Sequence, residues 1–415
     1  MTSGLNATPM ANRLAISIFG RRNAGKSSLI NAITGQQVAV TSDVAGTTTD
    51  PVYKTMELLP LGPVVFIDTA GLDDVGELGR MRIEKTYEVL RKTNLAILAL
   101  DAKLGISDFE TEFVKELKQR DIPLILAFNK ADKARITKID AAKMAAGMEV
   151  PAVIVSATSG YGIEELKSLI IKHARIEENG QGLISGLIKP GDIAVLVTPI
   201  DKSAPKGRLI LPQQQTIREI IEAGAVAVIS KEHELKMTLE SLNKKPSIVI
   251  TDSQAFAQVS ADTPSDIPLT SFSILFARQK GELAEMVRGL KSIAGLKAGD
   301  RVLIVEGCTH HRQGDDIGTV KIPRWIKQIS GQNIQFEWAS GACYPKDIAG
   351  YAAIVHCGGC MLNNKEMAYR IARAKESGVG ITNYGMLIAY VLGILKRALK
   401  PFPAAYRVLE DEDMV

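Results

Sequence analysis

The sequence has little of what marks secreted and nucleic-acid-binding proteins. Its 415 residues include four cysteines and carry a formal net charge of +4 at pH 7. Four cysteines in so long a chain are too few for a disulfide framework, which favours a reducing, cytoplasmic setting. Because so small a charge provides no strongly basic surface, we expect no nucleic-acid partner.

Long hydrophobic segments are missing as well. Residues 1–13, MTSGLNATPMANR, lack the charged stretch and apolar stretch of a secretory signal. No apolar run reaches the roughly 18 residues that a membrane span needs, so we expect no membrane association. What remains is a globular composition, with 46% hydrophobic and 23% charged residues. A chain of this length predicts more than one domain.

A glycine-rich loop follows the first apolar segment. Residues 14–19 are predicted to form a strand and residues 28–34 a helix, and between them residues 20–27 read GRRNAGKS. This fits the pattern G-x-x-x-x-G-K-[ST], whose backbone N–H groups surround phosphates. Lys26 would then reach the β- and γ-phosphates, and Ser27 would hold Mg²⁺. The residues predicted to line this loop are Gly20, Asn23, Ala24, Gly25, Lys26, Ser27 and Ser28.

Four more loops follow in the order that a GTPase requires. They read AGTTTD (45–50), DTAG (68–71), NKAD (129–132) and SAT (156–158). Thr48 is the candidate switch threonine for Mg²⁺, Asp68 would bind Mg²⁺ through water, and the Gly71 amide would meet the γ-phosphate. Asp132 can accept two hydrogen bonds that guanine offers and adenine does not. The predicted substrate is therefore GTP.

These loops supply the rest of the predicted nucleotide site. The predicted binding residues are Asp68, Thr69, Gly71, Asn129, Lys130, Asp132, Ser156 and Ala157. The residues predicted to act in hydrolysis are Lys26, Thr48, Asp68 and Gly71.

After a glycine-rich linker at residues 177–185, strand-like and helix-like segments alternate twice more. This alternation predicts an α/β protein in which a P-loop GTPase domain precedes two smaller parallel α/β domains. The predicted domain limits are 1–176, 185–270 and 271–415. In the middle domain we find no group of residues that carries chemistry, so an oligomerisation or spacer role is expected.

The third domain contains two cysteine motifs, each directly after a predicted strand. Cys308 follows the strand at 301–305, and the sequence HCGGC at 356–360 follows the strand at 351–355. Because the carboxyl ends of parallel strands share one edge of a sheet, the two motifs should meet in space. A helix is predicted from 363 to 375, and residues 379–385 are predicted to form a strand followed by a loop.

Three uses of these cysteines stay open from the residues alone. They are a structural zinc site, an iron–sulfur cluster on Cys308, Cys357 and Cys360, and a redox-active C-x-x-C pair. The candidates for a fourth cluster ligand are His310, His356, Asp315 and Cys343, and each could instead lie beside the ligands. Cys343 lies in a predicted loop and is taken as a free thiol.

The GTPase motifs resemble those of the TrmE–Era–Septin-like class, and within it the potassium-activated members. Asn23 stands where those members place an asparagine that helps to bind a monovalent cation. Leu72 stands where Ras-like enzymes carry the glutamine that orients water. The resemblance implies hydrolysis of GTP to GDP and phosphate that K⁺ activates.

The whole arrangement resembles the [FeFe]-hydrogenase maturation GTPases of the HydF family. A GTPase domain precedes a small α/β module, the C-x-H motif at 308–310 and the H-C-x-x-C motif at 356–360. Further matching segments are GRLILP at 207–212 and TNYG at 382–385. The resemblance extends from Leu14 to about Phe402.

This resemblance implies a GTPase domain, a dimerisation domain and a domain that binds a [4Fe–4S] cluster on Cys308, Cys357 and Cys360. It implies a homodimer that carries a di-iron subcluster precursor, with radical-SAM maturases and the apo-hydrogenase as partners. In relatives a carboxylate seven positions after the first cysteine can serve as fourth ligand, and Asp315 stands there. The competing interpretations are a ribosome-assembly or tRNA-modification GTPase with structural zinc, and an electron-transfer protein with a regulatory GTPase.

Overall fold

The computed structural model divides the chain into two compact units, residues 1–179 and 180–415. It describes residues 8–35, 51–72, 77–134, 136–174, 182–200, 209–307, 316–341, 344–345 and 347–411, with the backbone alone for 77–84. The two smaller predicted domains both lie in the second unit, and the boundary between them at residue 270 stays a prediction.

The described sheet of the first unit has six strands. They are β1 (Leu14–Phe19), β2 (Val52–Leu58), β3 (Gly62–Asp68), β4 (Leu95–Asp101), β5 (Leu124–Asn129) and β6 (Ala152–Ile154). Their order in the sheet is β2-β3-β1-β4-β5-β6, and β2 runs antiparallel to β3 while the other neighbours are parallel. The interior strands are apolar on both faces, as a sheet that helices cover on both sides requires.

Helices connect these strands and cover both faces of the sheet. They are α1 (Lys26–Thr34), α2 (Glu77–Lys92), α3 (Asp108–Gln119), α4 (Lys138–Ala146) and α5 (Ile163–His173), with 3₁₀ turns at Met10–Asn12 and Ala131–Lys133. Alternate side chains of one strand serve the two cores, since Phe19 packs on one face and Ile18 on the other. This is the expected P-loop architecture, with loops collected at the carboxyl ends of the strands.

The second unit begins with a four-stranded parallel sheet. Its strands are β7 (Ile193–Val197), β8 (Val226–Ser230), β9 (Ile248–Thr251) and β10 (Leu269–Ser271), in the order β10-β9-β7-β8. The connecting helices are α6 (Leu211–Glu222), α7 (Leu235–Ser241) and α8 (Phe256–Asp262), with 3₁₀ turns at Glu232–Glu234 and Ser253–Ala255. Pro212 occupies the first turn of α6, where its missing N–H leaves no bond unmade.

A second four-stranded parallel sheet completes this unit. Its strands are β11 (Arg301–Glu306), β12 (Gln335–Ser340), β13 (Ala353–His356) and β14 (Gly380–Asn383), in the order β12-β11-β13-β14. The helices around it are α9 (Phe272–Lys280), α10 (Leu283–Ala294), α11 (Ile322–Ser330), α12 (Asn364–Glu376), α13 (Tyr384–Val391), α14 (Leu395–Leu399) and α15 (Pro403–Asp411), with a π-helical turn at Ile317–Lys321. These sheets confirm the predicted fold class.

One continuous hydrophobic core joins the two sheets of the second unit. It contains Val195 from the first of these sheets, Ile304 from the second, and Phe272 and Phe276 from α9. Helix α9 packs against α6 on one side and against α12 and α13 on the other. Burial of α9 therefore links the two sheets. Its last residue, Lys280, lies next to residues 357–363, the segment between β13 and α12 that we call the cysteine loop.

The predicted loop after β14 is wrong, because α13 begins at Tyr384. The Asn383 side chain caps that helix by accepting a hydrogen bond from the backbone N–H of Met386 at 2.8 Å. Asparagine is a preferred N-cap residue, so this helix start follows from local chemistry. Among the described helices, none combines the length and the apolar character that crossing a bilayer requires.

Candidate functional site

The glycine-rich loop turns sharply into α1 at Gly25. This residue has a φ angle of +84°, and a Cβ atom there would lie 2.4 Å from Nδ2 of Asn129. That Nδ2 donates a hydrogen bond to the Ala24 carbonyl at 2.9 Å. Glycine is required at position 25 because both the backbone angle and the neighbouring amide exclude a side chain.

Lys26 is buried inside the curve of this loop. Its Nζ donates hydrogen bonds to the carbonyl oxygens of Gly20 at 3.1 Å and Arg21 at 2.9 Å. Hydrogen bonds from an ammonium group to phosphate oxygens are stronger than those to neutral carbonyls. A bound phosphate can therefore replace the two carbonyl oxygens as the hydrogen-bond acceptor of the Lys26 ammonium group, as the predicted role of Lys26 requires.

Ser27 and Asp68 bring two oxygen ligands together beside the loop. The Ser27 hydroxyl donates to Oδ2 of Asp68 at 2.5 Å, and Oδ1 of this buried carboxylate has no hydrogen-bond partner within the described residues. Burial raises the pKa of Asp68, against the effects of the Ser27 hydrogen bond and the Lys26 charge. A hard cation such as Mg²⁺ satisfies such a buried carboxylate, so these residues fit the predicted ion.

The segment after β3 is tied to the phosphate loop. The Thr69 hydroxyl donates to the Ile18 carbonyl at 2.7 Å, and the Leu72 N–H donates to the Gly20 carbonyl at 3.3 Å. A Cβ atom on Gly71 would lie 3.0 Å from the backbone nitrogen of Arg22. Leu72 is buried in the core, so its side chain is unable to orient a water molecule.

Two loops at the other end of the site form the predicted base pocket. Oδ1 of Asn129 accepts a hydrogen bond from the Ala157 N–H at 3.1 Å, and the Ser156 hydroxyl donates to Oδ1 of Asp132 at 2.6 Å. The hydrogen bond from Ser156 lowers the pKa of Asp132, whose side chain is exposed. Asp132 is thus an ionised acceptor turned to solvent, as recognition of guanine requires.

Lys130 lies beside the predicted base pocket and pairs with Asp101. It has a φ angle of +64°, and its Nζ donates to Oδ2 of Asp101 at 2.9 Å. Ser28 lies in the first turn of α1, and Asn23 is exposed with a φ angle of +62°. The structure therefore brings together the predicted nucleotide residues that it describes. The predicted residues outside the described ranges are Thr48, Cys308, His310, Asp315 and Cys343.

The cysteine loop begins where β13 ends. The Cys357 N–H donates to the Val305 carbonyl at 2.8 Å, which extends the pairing of β13 with β11. The sulfur of Cys357 accepts hydrogen bonds from the N–H groups of Gly307 at 3.0 Å and Gly359 at 3.4 Å. Gly307, the last described residue before Cys308, therefore lies beside Cys357. The predicted meeting of the two motifs stays a prediction, because residues 308–315 lie outside the described ranges.

Lys280, at the end of α9, also contacts the cysteine loop. Its buried ammonium group donates to three carbonyl oxygens, those of Gly359 at 2.8 Å, Cys360 at 3.1 Å and Leu362 at 2.6 Å. Burial lowers the pKa of Lys280 to about 8, against the charges of the two cysteines. Sequence reasoning missed Lys280, because 79 positions separate it from Gly359 and no local pattern connects them.

His356 lies fully buried behind the loop. Its Nδ1 donates to the Cys357 carbonyl at 2.8 Å, and its Nε2 accepts from Nη1 of Arg370 at 3.0 Å. Burial and the Arg370 charge lower the pKa of His356 to about 3, so the ring is neutral. Both ring nitrogens of His356 therefore have hydrogen-bond partners among the described residues.

A buried ion pair continues this network into α12. Arg370 is fully buried, and it donates to Oε1 of Glu366 at 2.9 Å and to the Gly341 carbonyl at 2.8 Å. Its guanidinium group also lies 5.0 Å from the ring centroid of Tyr344. Arg370 therefore joins the end of β13 to the segment after β12. Sequence reasoning missed it too.

The described residues of the cysteine loop include two of the three sulfur ligands predicted for an iron–sulfur cluster. Cys357 and Cys360 are free thiols that are half-buried, and burial raises the pKa of both. Among the described residues no group of three or more potential ligands forms a complete metal site. Thiolate sulfur is the ligand that iron–sulfur clusters prefer, so the chemistry of these two residues is compatible with a cluster.

Comparison with known proteins agrees with the two units. Residues 15–130 match the family model of the 50S ribosome-binding GTPase, and this part of the chain is a GTPase domain. GTPase Der of Kosmotoga olearia is 33% identical over 166 residues, which cover 37% of each chain. The tRNA modification GTPase MnmE of Aquifex aeolicus is 33% identical over 170 residues, which cover 40% of this chain and 36% of MnmE. The chain thus spans little more than a third of these relatives.

Solved structures of GTPases are also similar to part of the chain. The Era protein of Aquifex aeolicus, bound to GDP and AlF₄⁻, has a TM-score of 0.36 and 18% identity, and the match covers 60% of this chain and 99% of Era. The G domain of the T. maritima FeoB iron transporter has a TM-score of 0.32 and 26% identity, and the match covers 39% of this chain and 99% of that domain.

The second unit gives the more specific match. Residues 183–281 match the hydrogen maturase F dimerization domain, and residues 284–401 match the hydrogen maturase F tetramerization domain. Together with the GTPase domain these matches account for most of the chain. The chain belongs to the hydrogen maturase F family, as the motifs of the sequence predicted.

Proposed function

We propose that this protein is a GTP-hydrolysing scaffold in [FeFe]-hydrogenase maturation. It holds a [4Fe–4S] cluster on Cys308, Cys357 and Cys360, and it delivers a di-iron subcluster precursor to the apo-hydrogenase. The observation that carries the proposal is the hydrogen bond from the Gly307 N–H to the Cys357 sulfur at 3.0 Å. This contact supports a site in which Cys308, the next residue, joins the two cysteines of the loop.

The fourth ligand is the functional feature of such a site. When bound, the cluster would supply an iron atom at which an incoming fragment can be held and released. His356 is engaged through both ring nitrogens, so we place it beside the ligands. With Cys343 taken as a free thiol, His310 and Asp315 are the candidates for that position. A weak or exchangeable ligand there suits a scaffold, because the fragment must bind and then leave.

GTP acts in this proposal as a switch. The Ser27–Asp68 pair and Lys26 support a site for Mg²⁺ and phosphates, and the sequence around the phosphate loop contains no acceptor-substrate motif. We infer that the GTP state controls association with the partners or transfer of the fragment. Unchanged transfer by a Lys26→Ala variant would overturn this coupling.

The potassium dependence is proposed from Asn23 and Leu72. Leu72 is buried and is unable to orient water, so hydrolysis needs another source of charge stabilisation. Asn23 is exposed in the phosphate loop, where its amide oxygen is available to a monovalent cation. We expect faster GTP hydrolysis in KCl than in NaCl at equal ionic strength. Equal rates in the two salts would refute the potassium site, and Asn23→Ala should remove the difference.

The proposed partners are the radical-SAM maturases and the apo-hydrogenase, and the proposed setting is the cytoplasm. The match to dimerization and tetramerization domains supports assembly of several copies, of which the predicted homodimer is one stage. The competing role in ribosome assembly or tRNA modification is supported by relatives that match the GTPase region. The cysteine loop lies in the second unit, beyond that region.

Metal analysis after anaerobic purification tests the cluster. We expect iron and sulfide in the wild-type protein and in Cys343→Ala, and their loss together with the EPR signal in Cys308→Ala and Cys357→Ala. Zinc without sulfide would refute the cluster. Loss of iron in Cys343→Ala would overturn the ligand assignment. Activation of an apo-hydrogenase by the loaded protein then distinguishes a scaffold from an electron carrier.

A further inference from the structure

Lys54 is a buried lysine on the inward face of an edge strand. It lies in β2, at the edge of the first sheet, and it is only 7% exposed. It stands on the face of β2 from which Met56 and Leu58 pack against the core. The Lys54 ammonium group donates to Oδ1 of Asn31 on α1. Because this acceptor is a neutral amide, the hydrogen bond does not compensate the buried charge.

The register of β2 and β3 brings Lys54 close to Asp68. In this antiparallel pair Lys54 lies opposite Phe66. Two positions further along, Val52 lies opposite Asp68. Lys54 and Asp68 are therefore diagonal neighbours on one face of the strand pair, and such neighbours are about 7–8 Å apart. Burial raises the pKa of Asp68, and the charge of Lys54 opposes that rise, as a charge at this range should.

Helix α1 gives the same location from the other side. Asn31, the hydrogen-bond partner of Lys54, stands one turn after Ser27 in α1. Residues four apart in a helix are neighbours on one face. The Ser27 hydroxyl donates to Oδ2 of Asp68 at 2.5 Å. The Lys54 ammonium group therefore lies beside the Ser27–Asp68 pair, where the phosphate loop borders the proposed Mg²⁺ site.

A fixed positive charge at this point acts with opposite sign on the two ligands of the site. It attracts the phosphates of a nucleotide and repels Mg²⁺, and both effects extend over several ångströms where water is excluded. We propose that Lys54 supplies a permanent counter-charge for the nucleotide phosphates and so makes nucleotide binding less dependent on Mg²⁺. This inference rests on the Mg²⁺ site of the proposed function and is independent of the cluster.

The affinity of the full chain for a fluorescent GDP analogue, measured in EDTA and again in excess MgCl₂, tests this role. Lys54→Met removes the charge and keeps most of the side-chain volume. The free analogue carries more negative charge than its Mg²⁺ complex, so the loss of Lys54 should weaken binding more in EDTA. We expect the affinity to fall about fivefold or more in EDTA and less than about twofold in MgCl₂. Lys54→Arg keeps the charge and should bind as wild type does in both solutions.

Lys115→Met is the matched control. It removes the same charge from α3, where Lys115 pairs with Glu112 at 3.5 Å and its side chain is 63% exposed. Solvent and salt screen so exposed a charge, so both affinities should stay at the wild-type values. Equal losses in EDTA and in MgCl₂ for Lys54→Met would overturn the proposal, because they would reflect a distorted site and not a lost charge.

An inward-pointing charge can also protect an edge strand from pairing with another chain. If this were the only role of Lys54, Lys54→Met would aggregate more readily and leave both affinities unchanged, which would overturn the proposal as well. If wild type binds the analogue equally in EDTA and MgCl₂, the proposed Mg²⁺ site fails, and the affinities in EDTA still decide the role of Lys54. If circular dichroism shows that Lys54→Met is unfolded, Lys54→Gln, which keeps a donor for Asn31, replaces it.

Discussion

The phosphate loop and the cysteine loop are two solutions to one structural problem. Each follows a parallel strand, turns through a glycine with positive φ, and leads towards a helix, α1 in one case and α12 in the other. Each also encloses a buried lysine that donates to carbonyls of the loop, Lys26 in the first and Lys280 in the second. Backbone N–H groups donate to the Cys357 sulfur at the cysteine loop, and a glycine-rich turn into a helix is the type of segment that offers its N–H groups to phosphate.

The origin of the lysine differs between the two loops. Lys26 belongs to its own loop, and an arriving phosphate can replace its carbonyl partners. Lys280 comes from another helix, and three carbonyls use all its donors. The contacts of Lys26 suit a site whose ligand binds and dissociates. Those of Lys280 suit a loop whose backbone stays in one conformation. In the proposed cluster site, exchange would accordingly take place at the fourth ligand, while the backbone of the cysteine loop stays fixed.

The largest expected effect follows from substituting Arg370, which joins the end of β13 to the segment after β12. Arg370→Met removes a fully buried guanidinium group and leaves the carboxylate of Glu366, which is 2% exposed, without its partner. Removing one member of a buried ion pair costs about 3–5 kcal/mol of unfolding free energy. The two tryptophans of the chain, Trp325 and Trp338, both lie in the second unit. Tryptophan fluorescence during urea unfolding therefore measures this unit alone.

Arg288→Met is the matched control for Arg370. Arg288 pairs with Glu285 at 2.9 Å on the surface of α10, and its side chain is 48% exposed. An exposed pair contributes little, so the urea midpoint should stay close to that of wild type. Equal midpoints for Arg370→Met and Arg288→Met would show that the network behind His356 does not stabilise the loop.

The second prediction tests whether the two sites are chemically independent. Lys26→Ala removes the ammonium group from the phosphate loop, and loss of one preorganised charged donor slows catalysis on the order of a hundredfold. Phosphate release should fall by at least that factor, while iron and sulfide content stays at the wild-type level. The reciprocal control, Cys360→Ser, should lose iron and keep GTP hydrolysis without partners. Loss of iron in Lys26→Ala would mean that the comparison of two separate sites is wrong.

The sequence predicted more of the residues that hold the nucleotide site together than of those that hold the cysteine loop. The nucleotide loops carry their chemistry in short, contiguous motifs, so reading residues 20–27 or 129–132 identifies the side chains that meet. Cys357 and Cys360 were found in the same way. Lys280 and Arg370 were not, because they lie 79 positions from Gly359 and 14 positions from His356. Glu366 was missed together with Arg370, its partner four positions away.

Secondary structure shows the same limit. Interior strands such as β11 read as continuous apolar runs, whereas β12 is an edge strand that exposes Gln335, Glu337 and Trp338 and has no such run. Its residues consequently do not indicate a strand. The start of α13 was missed for another reason, since the capping signal of Asn383 stands in a segment that also fits a strand and loop.

The third prediction concerns recognition of the base. Asp132→Asn replaces one carboxylate acceptor by an amide donor, and a hydrogen bond to a charged group contributes about 1.5–3 kcal/mol. GTP affinity should fall about tenfold to a hundredfold, and XTP, which offers a carbonyl where guanine has its 2-amino group, should gain. Competition with a fluorescent GDP analogue measures both. Asp101→Asn, which removes the partner of Lys130, is the control and should weaken GTP and XTP alike. A loss without a change in preference would contradict the assigned role.

The smallest effect is expected from a substitution at Gly359, the second glycine of the cysteine loop. A Cβ atom on Gly359 would meet only ordinary contacts, the nearest being Sδ of Met367 at 3.5 Å, whereas one on Gly25 would collide with Asn129 at 2.4 Å. Gly359→Ala should therefore cost only the strain of a positive φ, about 1–2 kcal/mol, and the cluster should be retained. Gly378→Ala, with a φ of +67° and open space around it, should cost the same in tryptophan-monitored unfolding. A larger loss at Gly359 would mean that the loop packs as tightly as the phosphate loop, because steric conflict would then add to the backbone strain that the two glycines share.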